Sequence, residues 1–474
     1  MSQHATTPRP PLGLVVAGLA GGSGKSVVSV GLTAALAARG LRVVPFKKGP
    51  DYIDAGWLSL AAGRDCHNLD PYLMEPPVVL DSFSRQAAGG DIVVVEGNRG
   101  LFDGVDAAGS YSTAELAVQL RLPVLLVVDC TKTTRTVAAM VLGCLRLDDK
   151  VRIAGVVANR IAGDRHLSIV REAVERYAGV PVVGALPKMK REAFPQRHLG
   201  VIPFQEHAGA GAAVAELARL AEEHLDLDRI LGLMEEAGLV KDDGRQLPRP
   251  PATEQRVRIG VIRDAAFQFY YPENLAALSE AGAELVEINA LTAAELPEVD
   301  GLYIGGGFPE TSARQLADNT SFRMSVRQAA ARGLPIYAEC GGLIYLGESI
   351  SLDGEVFPLA GVFPVRFELS RKPQAHGYTV FTVDRDTPFY RKGETVRGHE
   401  FRYSRVVDWR GEVGDLALSM QRGVGFAGGR DGLVRRNTLA LYTHIHALGT
   451  PQWAPAMVAR ALAHRAQGSG IEDL

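Results

Sequence analysis

The stretch LGLVVAGLAGGSGKS, residues 12–26, decides the fold of the first half of the chain. Residues 12–18 predict a buried strand, and the Gly-rich loop 18–26 leads into an Ala-rich helix. In such a loop phosphate oxygens meet free backbone N–H groups and the positive end of the helix dipole. Four residues usually separate the first Gly of this motif from its Gly-Lys pair, whereas counting from Gly18 gives five. We predict a phosphate-binding loop lengthened by one residue.

The loop contains the groups that a nucleotide triphosphate requires. Lys25 is expected to reach the β- and γ-phosphates, and the Ser26 hydroxyl is expected to ligate Mg²⁺. The predicted nucleotide-binding residues of the loop are Gly21, Gly22, Ser23, Gly24, Lys25 and Ser26. The alternative is a structural turn with a solvated lysine, but the flanking strand and helix favour the phosphate loop.

A parallel sheet is predicted to surround this loop. Apolar, β-branched runs recur at 41–46, 91–96, 123–129, 153–159 and 181–186, and helical patterns such as 114–120 and 166–177 lie between them. Continuous rather than alternating apolar runs are typical of strands buried on both faces. We therefore predict that the first half is an α/β domain with a doubly wound parallel sheet.

The chain is long enough for more than one domain. It has 474 residues, and a polar, Pro-bearing segment follows residue 241. A second series of apolar runs then occupies 258–263, 284–288, 301–307, 335–340 and 438–446. We predict two domains, 1–245 and 257–474, joined by a linker at 246–256.

Charge and cysteine content exclude several classes of protein. Lys and Arg number 51 against 54 Asp and Glu, which leaves a net charge of −3, so no nucleic-acid partner is expected. Four scattered cysteines suit neither a disulfide framework nor a zinc site. Since no export signal or membrane span is apparent, we expect a cytoplasmic protein without a membrane partner.

Acidic residues follow the predicted strands of the first half. In KKGPDYIDAGW (47–57), Asp51 and Asp54 stand near two lysines. These two aspartates are either Mg²⁺ ligands or part of a solvated loop. In EGNRGLFDG (96–104), Glu96 ends a buried strand at the edge where open α/β sheets bind ligands, and Asp103 follows in a turn. Asn159 also ends a strand, which leaves both a contact to adenine and a helix cap open.

The second half contains a cysteine in a distinctive setting. In PIYAECGGLIYL (335–346), Cys340 lies between an apolar strand and two glycines, a pattern typical of a nucleophile elbow. The N–H of Gly341 and the loop with Gly306 and Gly307 are the predicted oxyanion donors. A thiol nucleophile needs a base. Among the candidates His444, His446 and His399, the strand-end pair His444 and His446 is preferred.

Ten motifs in this order resemble the cobyrinate a,c-diamide synthase family. The family joins a dethiobiotin-synthetase-like ATP domain to a class I glutamine amidotransferase domain of flavodoxin-like fold. The motifs are GLAGGSGKS, KKGPDYIDAGW, NLDPYLM, EGNRGLFDG, the pair Asn159 and Arg160, QRHLG, GGGFPE, AECGGLIYL, GHEF and YTHIH.

The resemblance implies a reaction and assigns residues to it. Glutamine would be hydrolysed through a Cys340 thioester with His444 as the base. The ammonia would then displace phosphate from the phosphorylated a and c acetate carboxylates of cobyrinate, a corrinoid. ATP and Mg²⁺ are the implied cofactors. The remaining assignments are to substrate (Asp51, Tyr52 and Asp103), to Mg²⁺ (Ser26, Asp51 and Glu96) and to the nucleotide (the loop residues with Asn159).

Several alternatives stay open at this stage. The segment with Asn98 and Arg99 also resembles the branch that acts on nickel-sirohydrochlorin, and hydrogenobyrinate or a cobyric acid synthase-like reaction is a further option. A partition-type ATPase would have no use for the Cys340 elbow. Class I amidotransferases usually have Glu two residues after the catalytic His, where this chain has His446, so His446 and Glu400 are both candidates to orient His444. A homodimer is also left open.

Overall fold

The computed structural model describes residues 10–189, 196–197, 200–238 and 256–469. The chain divides into two compact units, Met1–Leu247 and Pro248–Leu474. The predicted linker lies outside the described residues except for Arg256, so its bounds stay a prediction, and His198 and Leu199 of the QRHLG motif lie outside them as well. Within the described ranges no helix has the length and apolar character needed to cross a membrane.

The first unit is built on a seven-stranded parallel sheet, which confirms the predicted α/β class. Its strands are β1 (Leu12–Gly18), β2 (Val43–Lys48), β3 (His67–Leu69), β4 (Ile92–Glu96), β5 (Val124–Asp129), β6 (Ile153–Ile161) and β7 (Val182–Pro187). The spatial order is β3-β2-β4-β1-β5-β6-β7. Two short strands, β8 (Gln196–Arg197) and β9 (Gly200–Val201), pair separately.

Helices cover this sheet and bury its apolar runs. They are α1 (Lys25–Ala38), α2 (Ile53–Ala62), α3 (Pro76–Ala87), α4 (Thr113–Leu120), α5 (Thr136–Leu147), α6 (Asp164–Ala178), α7 (Ala210–His224) and α8 (Leu227–Ala237). Val16, Val94 and Val127 of the central strands form one core with Leu32 of α1 and Ile230 of α8. Burying each such side chain contributes roughly 1.5–3 kcal/mol, so the core holds the ends of the strands in fixed positions.

Strand register brings the site residues of this unit together. Val16 of β1 and Lys47 of β2 both pair with Glu96, the last residue of β4. Since β1 runs directly into the loop that opens α1, the loop, Lys47 and Glu96 meet at the carboxyl edge of the sheet.

The second unit has a six-stranded sheet that is parallel except at one edge. Its strands lie in the order β11 (Ala283–Ile288), β10 (Val257–Ile262), β12 (Gly301–Ile304), β13 (Ile336–Glu339), β23 (Thr438–Leu441) and β22 (Leu433–Arg435). The helices are α9 (Pro272–Glu280), α10 (Ala313–Asp318), α11 (Thr320–Arg332), α12 (Gly341–Leu346) and α13 (Trp453–Ser469). One face packs on Phe322 and Val326 of α11, and the other packs on Trp453 of α13.

The sequence patterns did not predict two further sheets in this unit, the first of which is mixed and the second antiparallel. One has the order β15 (Glu355–Pro358), β14 (Ser349–Leu352), β16 (Val365–Leu369) and β19 (Ser404–Trp409). The other has the order β21 (Arg430–Asp431), β20 (Leu418–Arg422), β17 (Ala375–Val383), β18 (Thr395–Arg402) and β24 (His444–Ile445). The predicted strand 438–446 is therefore two strands, β23 and β24, in different sheets.

Candidate active sites

The Gly-rich loop of the first unit has the backbone of an anion-binding turn. Gly22 and Gly24 adopt positive φ angles of 76° and 95°, and α1 starts directly after Gly24. Ser23 Oγ accepts from Ala20 N at 3.1 Å and donates to Ala20 O at 2.9 Å. The loop is therefore held by its own side chain, and the N-terminal end of a 14-residue helix faces it.

Lys25 extends over this loop. Its Nζ donates to Ala20 O at 3.1 Å and to Arg99 O at 2.7 Å. Burial and the neighbouring Lys47 lower the pKa of Lys25 below its usual value. The ammonium has only carbonyl partners among these hydrogen bonds, which leaves its charge available to an anion in the loop.

Asn159 supports the loop from β6. Its Nδ2 donates to Ser23 O at 2.9 Å, and a Cβ on Gly24 would lie 2.2 Å from that nitrogen. The structure thus places Asn159 against the loop backbone. A contact between Asn159 and adenine stays a prediction.

Glu96 is the centre of a buried polar cluster. Its carboxylate accepts from Ser26 Oγ at 2.8 Å, from Lys47 Nζ at 2.8 Å and from Ser29 Oγ. Lys47 Nζ also contacts Asp54 at 2.7 Å. Burial alone would lower the pKa of Lys47, but Asp54 and Glu96 together raise it above its ordinary value. A permanent cation therefore lies between two carboxylates beside the loop.

The predicted substrate residues lie around this cluster and also shape the backbone. Asp51 Oδ1 accepts from the N–H groups of Ile53 and Asp54, both at 2.9 Å, and Tyr52 is the residue that precedes α2. Burial and Asp54 raise the pKa of Asp51 to about 7. Asp103 Oδ2 accepts from Gly100 N at 2.8 Å and so closes the turn after β4.

The donor set suits a magnesium ion that is completed by phosphate and water. Ser26 and Glu96 supply a hydroxyl and a carboxylate that meet at 2.8 Å at the edge of the loop. Mg²⁺ usually takes one or two carboxylates and keeps substrate phosphates and waters as its other ligands. Across the described ranges no group of three or more His, Cys, Asp or Glu side chains forms a metal cage. The residues therefore fit Mg²⁺ only together with a nucleotide.

Cys340 of the second unit lies at a strained turn between β13 and α12. Its φ and ψ angles are 47° and −95°, in a region that side chains with a Cβ rarely adopt. Its N–H donates to Leu441 O at 2.8 Å, so the neighbouring strand β23 holds the strained backbone. This geometry agrees with the predicted nucleophile elbow.

The predicted oxyanion glycines approach one another closely. A Cβ on Gly341 would lie 3.0 Å from the Gly307 nitrogen, and a Cβ on Gly307 would lie 2.1 Å from Ala266 O. A Cβ on Gly306 would lie 2.3 Å from Cε1 of His444. Only glycine therefore leaves room for both the histidine ring and the turn that follows Cys340.

His444 is the histidine that the structure brings to Cys340. The two side chains are hydrogen-bonded, and the imidazole is buried. Burial alone would lower the pKa of His444, but Cys340 and then Glu339 raise it to about 10. The ring of His399 stacks on that of His444 with centroids 4.9 Å apart.

Glu339 is a site residue that the sequence analysis missed. Its Oε2 lies 3.5 Å from Nδ1 of His444, and its side chain is fully buried. The sequence signal for this residue was its position in AECGG, directly before Cys340, where a carboxylate ends an apolar strand.

The two residues that the sequence suggested for orienting His444 have other partners. His446 Nε2 lies 3.6 Å from Glu273, and its ring packs on Tyr271. Glu400 accepts from the N–H groups of Val424 and Gly425. His446 and Glu400 are thus engaged with neighbouring structure, because α9 carries Glu273 to His446 and the turn after β20 carries Val424 and Gly425 to Glu400.

Comparisons with known proteins match both units. Residues 14–201 match the family described as CobQ/CobB/MinD/ParA nucleotide binding domain, and residues 258–452 match the CobB/CobQ-like glutamine amidotransferase domain. A cobyrinate a,c-diamide synthase of Magnetococcus marinus is 45% identical, over 91% of this chain and 93% of its own length. One of Archaeoglobus fulgidus is 39% identical, over 95% of this chain and 97% of its own.

Proposed function

The chain belongs to the cobyrinate a,c-diamide synthase family, and from that premise we propose that it uses ATP and glutamine to amidate the a and c acetate carboxylates of cobyrinate in cobalamin biosynthesis. The observation that carries the proposal is the pairing of Cys340 with His444 at a strained turn, in a chain that also has a phosphate loop. A nitrogen donor site and an activation site are the two parts that such an amidation needs.

In the second unit, Cys340 and His444 would together release ammonia from glutamine. A cysteine attacks as its thiolate, and His444 is the base that would take the thiol proton. The Cys340 sulfur adds to the amide carbon of glutamine, and the N–H groups of the glycine turns donate hydrogen bonds to the oxyanion that forms. His444 gives its proton to the departing ammonia and then takes one from the water that hydrolyses the thioester, so glutamate leaves and the thiol is restored.

In the first unit, ATP would activate each carboxylate. A carboxylate oxygen takes the γ-phosphoryl group and ADP leaves; ammonia then adds to the acyl carbon and phosphate departs, which leaves an amide. Lys25 and the loop N–H groups would hold the phosphates, and Asp51, Tyr52 and Asp103 would face the substrate. Ser26 and Glu96, with Asp51 nearby, would hold Mg²⁺, which offsets the charge that builds up when ATP meets a polycarboxylate.

The tetrapyrrole needs a direct assay. The segment with Asn98 and Arg99 also supports nickel-sirohydrochlorin as a second candidate. Purified protein with ATP and glutamine should add two amides to cobyrinate, scored by mass. Preference for hydrogenobyrinate or nickel-sirohydrochlorin would reassign the substrate but retain the reaction.

The central test of the proposal is Cys340→Ala. We expect glutamine-dependent amidation to fall to background, because no thioester can form, and ammonia-dependent amidation to stay within about twofold, because the first unit is untouched. Cys144→Ala, at a buried cysteine in α5, is the matched control and should retain both activities. Equal loss with both nitrogen donors would contradict separate sites for the two reactions.

A further inference from the structure

A carboxylate reaches His444 from a position that sequence spacing does not suggest. Where class I amidotransferases usually have Glu, two residues after the histidine, this chain has His446. Glu339 Oε2 lies 3.5 Å from Nδ1 of His444, although Glu339 stands more than one hundred residues earlier in the chain and directly before the nucleophile. We propose that Glu339 is the positioning residue that orients His444 and stabilises its charged form, an inference that rests on the proposed glutaminase reaction.

Both oxygens of Glu339 are fixed by hydrogen bonds. Oε1 accepts from Ile445 N at 3.2 Å, and Oε2 accepts from Tyr303 OH at 3.2 Å while lying 3.5 Å from Nδ1 of His444. One carboxylate therefore holds both the backbone just after His444 and the ring itself. Because Nδ1 faces Glu339, the other ring nitrogen is left for Cys340.

A further amide network holds this arrangement in place. Asn274 of α9 donates to Tyr303 OH at 3.2 Å and to Ile445 O at 3.0 Å. It also accepts from Ala447 N at 2.7 Å. The strand that carries His444 is thus tied to α9 and β12, so the distance between Glu339 and His444 does not depend on one contact.

Apart from Cys340, the reaction partner of His444, the other titratable groups around the imidazole do not supply this charge. Cys340 and Glu339 face it from the end of β13, and His399 and Glu400 face it from β18. Burial and His444 itself keep the pKa of His399 well below its usual value, so His399 packs as a neutral ring. The carboxylate of Glu400 is committed to the Val424 and Gly425 N–H groups. Glu339 remains as the carboxylate that contacts the imidazole.

The test is Glu339→Gln, which keeps the shape and removes the charge. We expect kcat for glutamate release to fall by about 100- to 10,000-fold, in the range seen when a carboxylate behind a catalytic histidine is removed, with KM for glutamine changed less than threefold. Loss of the carboxylate lowers the pKa of the imidazolium, so the basic limb of the pH–rate profile should move to lower pH. Glu339→Asp should give an intermediate kcat.

Glu400→Gln is the matched control, and its basic limb should coincide with that of the wild type. Ammonia-dependent amidation by Glu339→Gln should stay within about twofold, which separates this proposal from the proposed function, since failure of the latter removes amidation with ammonia as well. Wild-type kcat and an unmoved basic limb in Glu339→Gln would overturn the proposal. If that variant does not fold, an unchanged kcat and basic limb in Glu339→Asp would overturn it instead.

Discussion

The second unit depends on a close approach between one glycine and one histidine. The ring of His444 occupies the space that a side chain at residue 306 would take, since a Cβ there would lie 2.3 Å from Cε1. Gly306 also accepts from the N–H groups of Gln268 and Phe269, both at 3.1 Å, so its backbone is not free to retreat. The absence of a side chain at this position is therefore a condition for the pairing of His444 with Cys340.

Gly306→Ala should accordingly impair glutamine hydrolysis without unfolding the protein. The added methyl must displace the His444 ring, and a displacement of about 1 Å in a catalytic group typically costs about 100-fold in rate. Glutamate release measures the effect, with ammonia-dependent amidation as the internal reference. Gly414→Ala, where a Cβ would meet nothing within 4 Å, is the matched control. Equal glutaminase rates in the two variants would show that the ring tolerates the methyl group.

At the scale of elements, the chain changes sheets immediately before His444. β23 lies in the parallel sheet beside β13, and β24 pairs with β18 in an antiparallel sheet, where His399 stands opposite His444. Two residues, Tyr442 and Thr443, make the transition. The buried carboxylate of Asp431 accepts hydrogen bonds from the N–H groups of both residues. The position of His444 therefore depends on a carboxylate at the end of a different hairpin.

Sequence patterns were sufficient where strands are buried on both faces. The runs that form β1, β4, β5 and β13 are continuous and apolar, so both parallel sheets and the turns at Ser26 and Cys340 could be predicted. The strands of the other two sheets are only partly buried, as in β17 and β19, so their sequences have no continuous apolar run. Glu339 was missed because its role depends on tertiary proximity to His444, which no local spacing encodes. The roles of the site residues stay predictions that the experiments test.

Asp431 leads to a prediction about pH. Burial raises its pKa to about 7 from 3.8, so the folded protein binds a proton that the unfolded chain releases. Its contribution to stability is therefore greatest below about pH 4 and is lost as the pH rises towards 7. Asp431→Asn cannot titrate and leaves a buried N–H poorly paired, which costs about 1–3 kcal/mol.

Melting temperatures at pH 5 and pH 8 check this prediction. The deficit of Asp431→Asn relative to the wild type should be larger at pH 5 than at pH 8, because only the wild type loses stability over that interval through this group. Asp408→Asn, at an exposed position in β19, should differ from the wild type by a similar small amount at both pH values. A deficit that grows towards pH 8 would contradict a raised pKa.

At the scale of the whole molecule, the two units have separate cores, and the proposed function places one reaction in each. The net charge of −3 offers no general attraction for a polyanion. The cations that could bind a polyanion are confined to the site: Lys25 lies over the loop, and Lys47 lies between Asp54 and Glu96. A small acidic substrate would therefore be recognised by a few buried cations, a helix N-terminus and Mg²⁺ rather than by a basic surface.

Glu96→Gln should separate the two chemistries from the side of the first unit. The amide retains the size of the carboxylate but removes one of the two anions that hold Lys47 and the carboxylate proposed for Mg²⁺. We expect amidation to fall by about 100-fold or more with either glutamine or ammonia, because activation by ATP precedes both. The rate of Cys340 alkylation, followed by peptide mass spectrometry, should match that of the wild type, since the thiol and His444 belong to the other unit. Glu172→Gln, at an exposed position in α6, is the control for the substitution itself. Unchanged ammonia-dependent turnover in Glu96→Gln would remove Glu96 from the activation site.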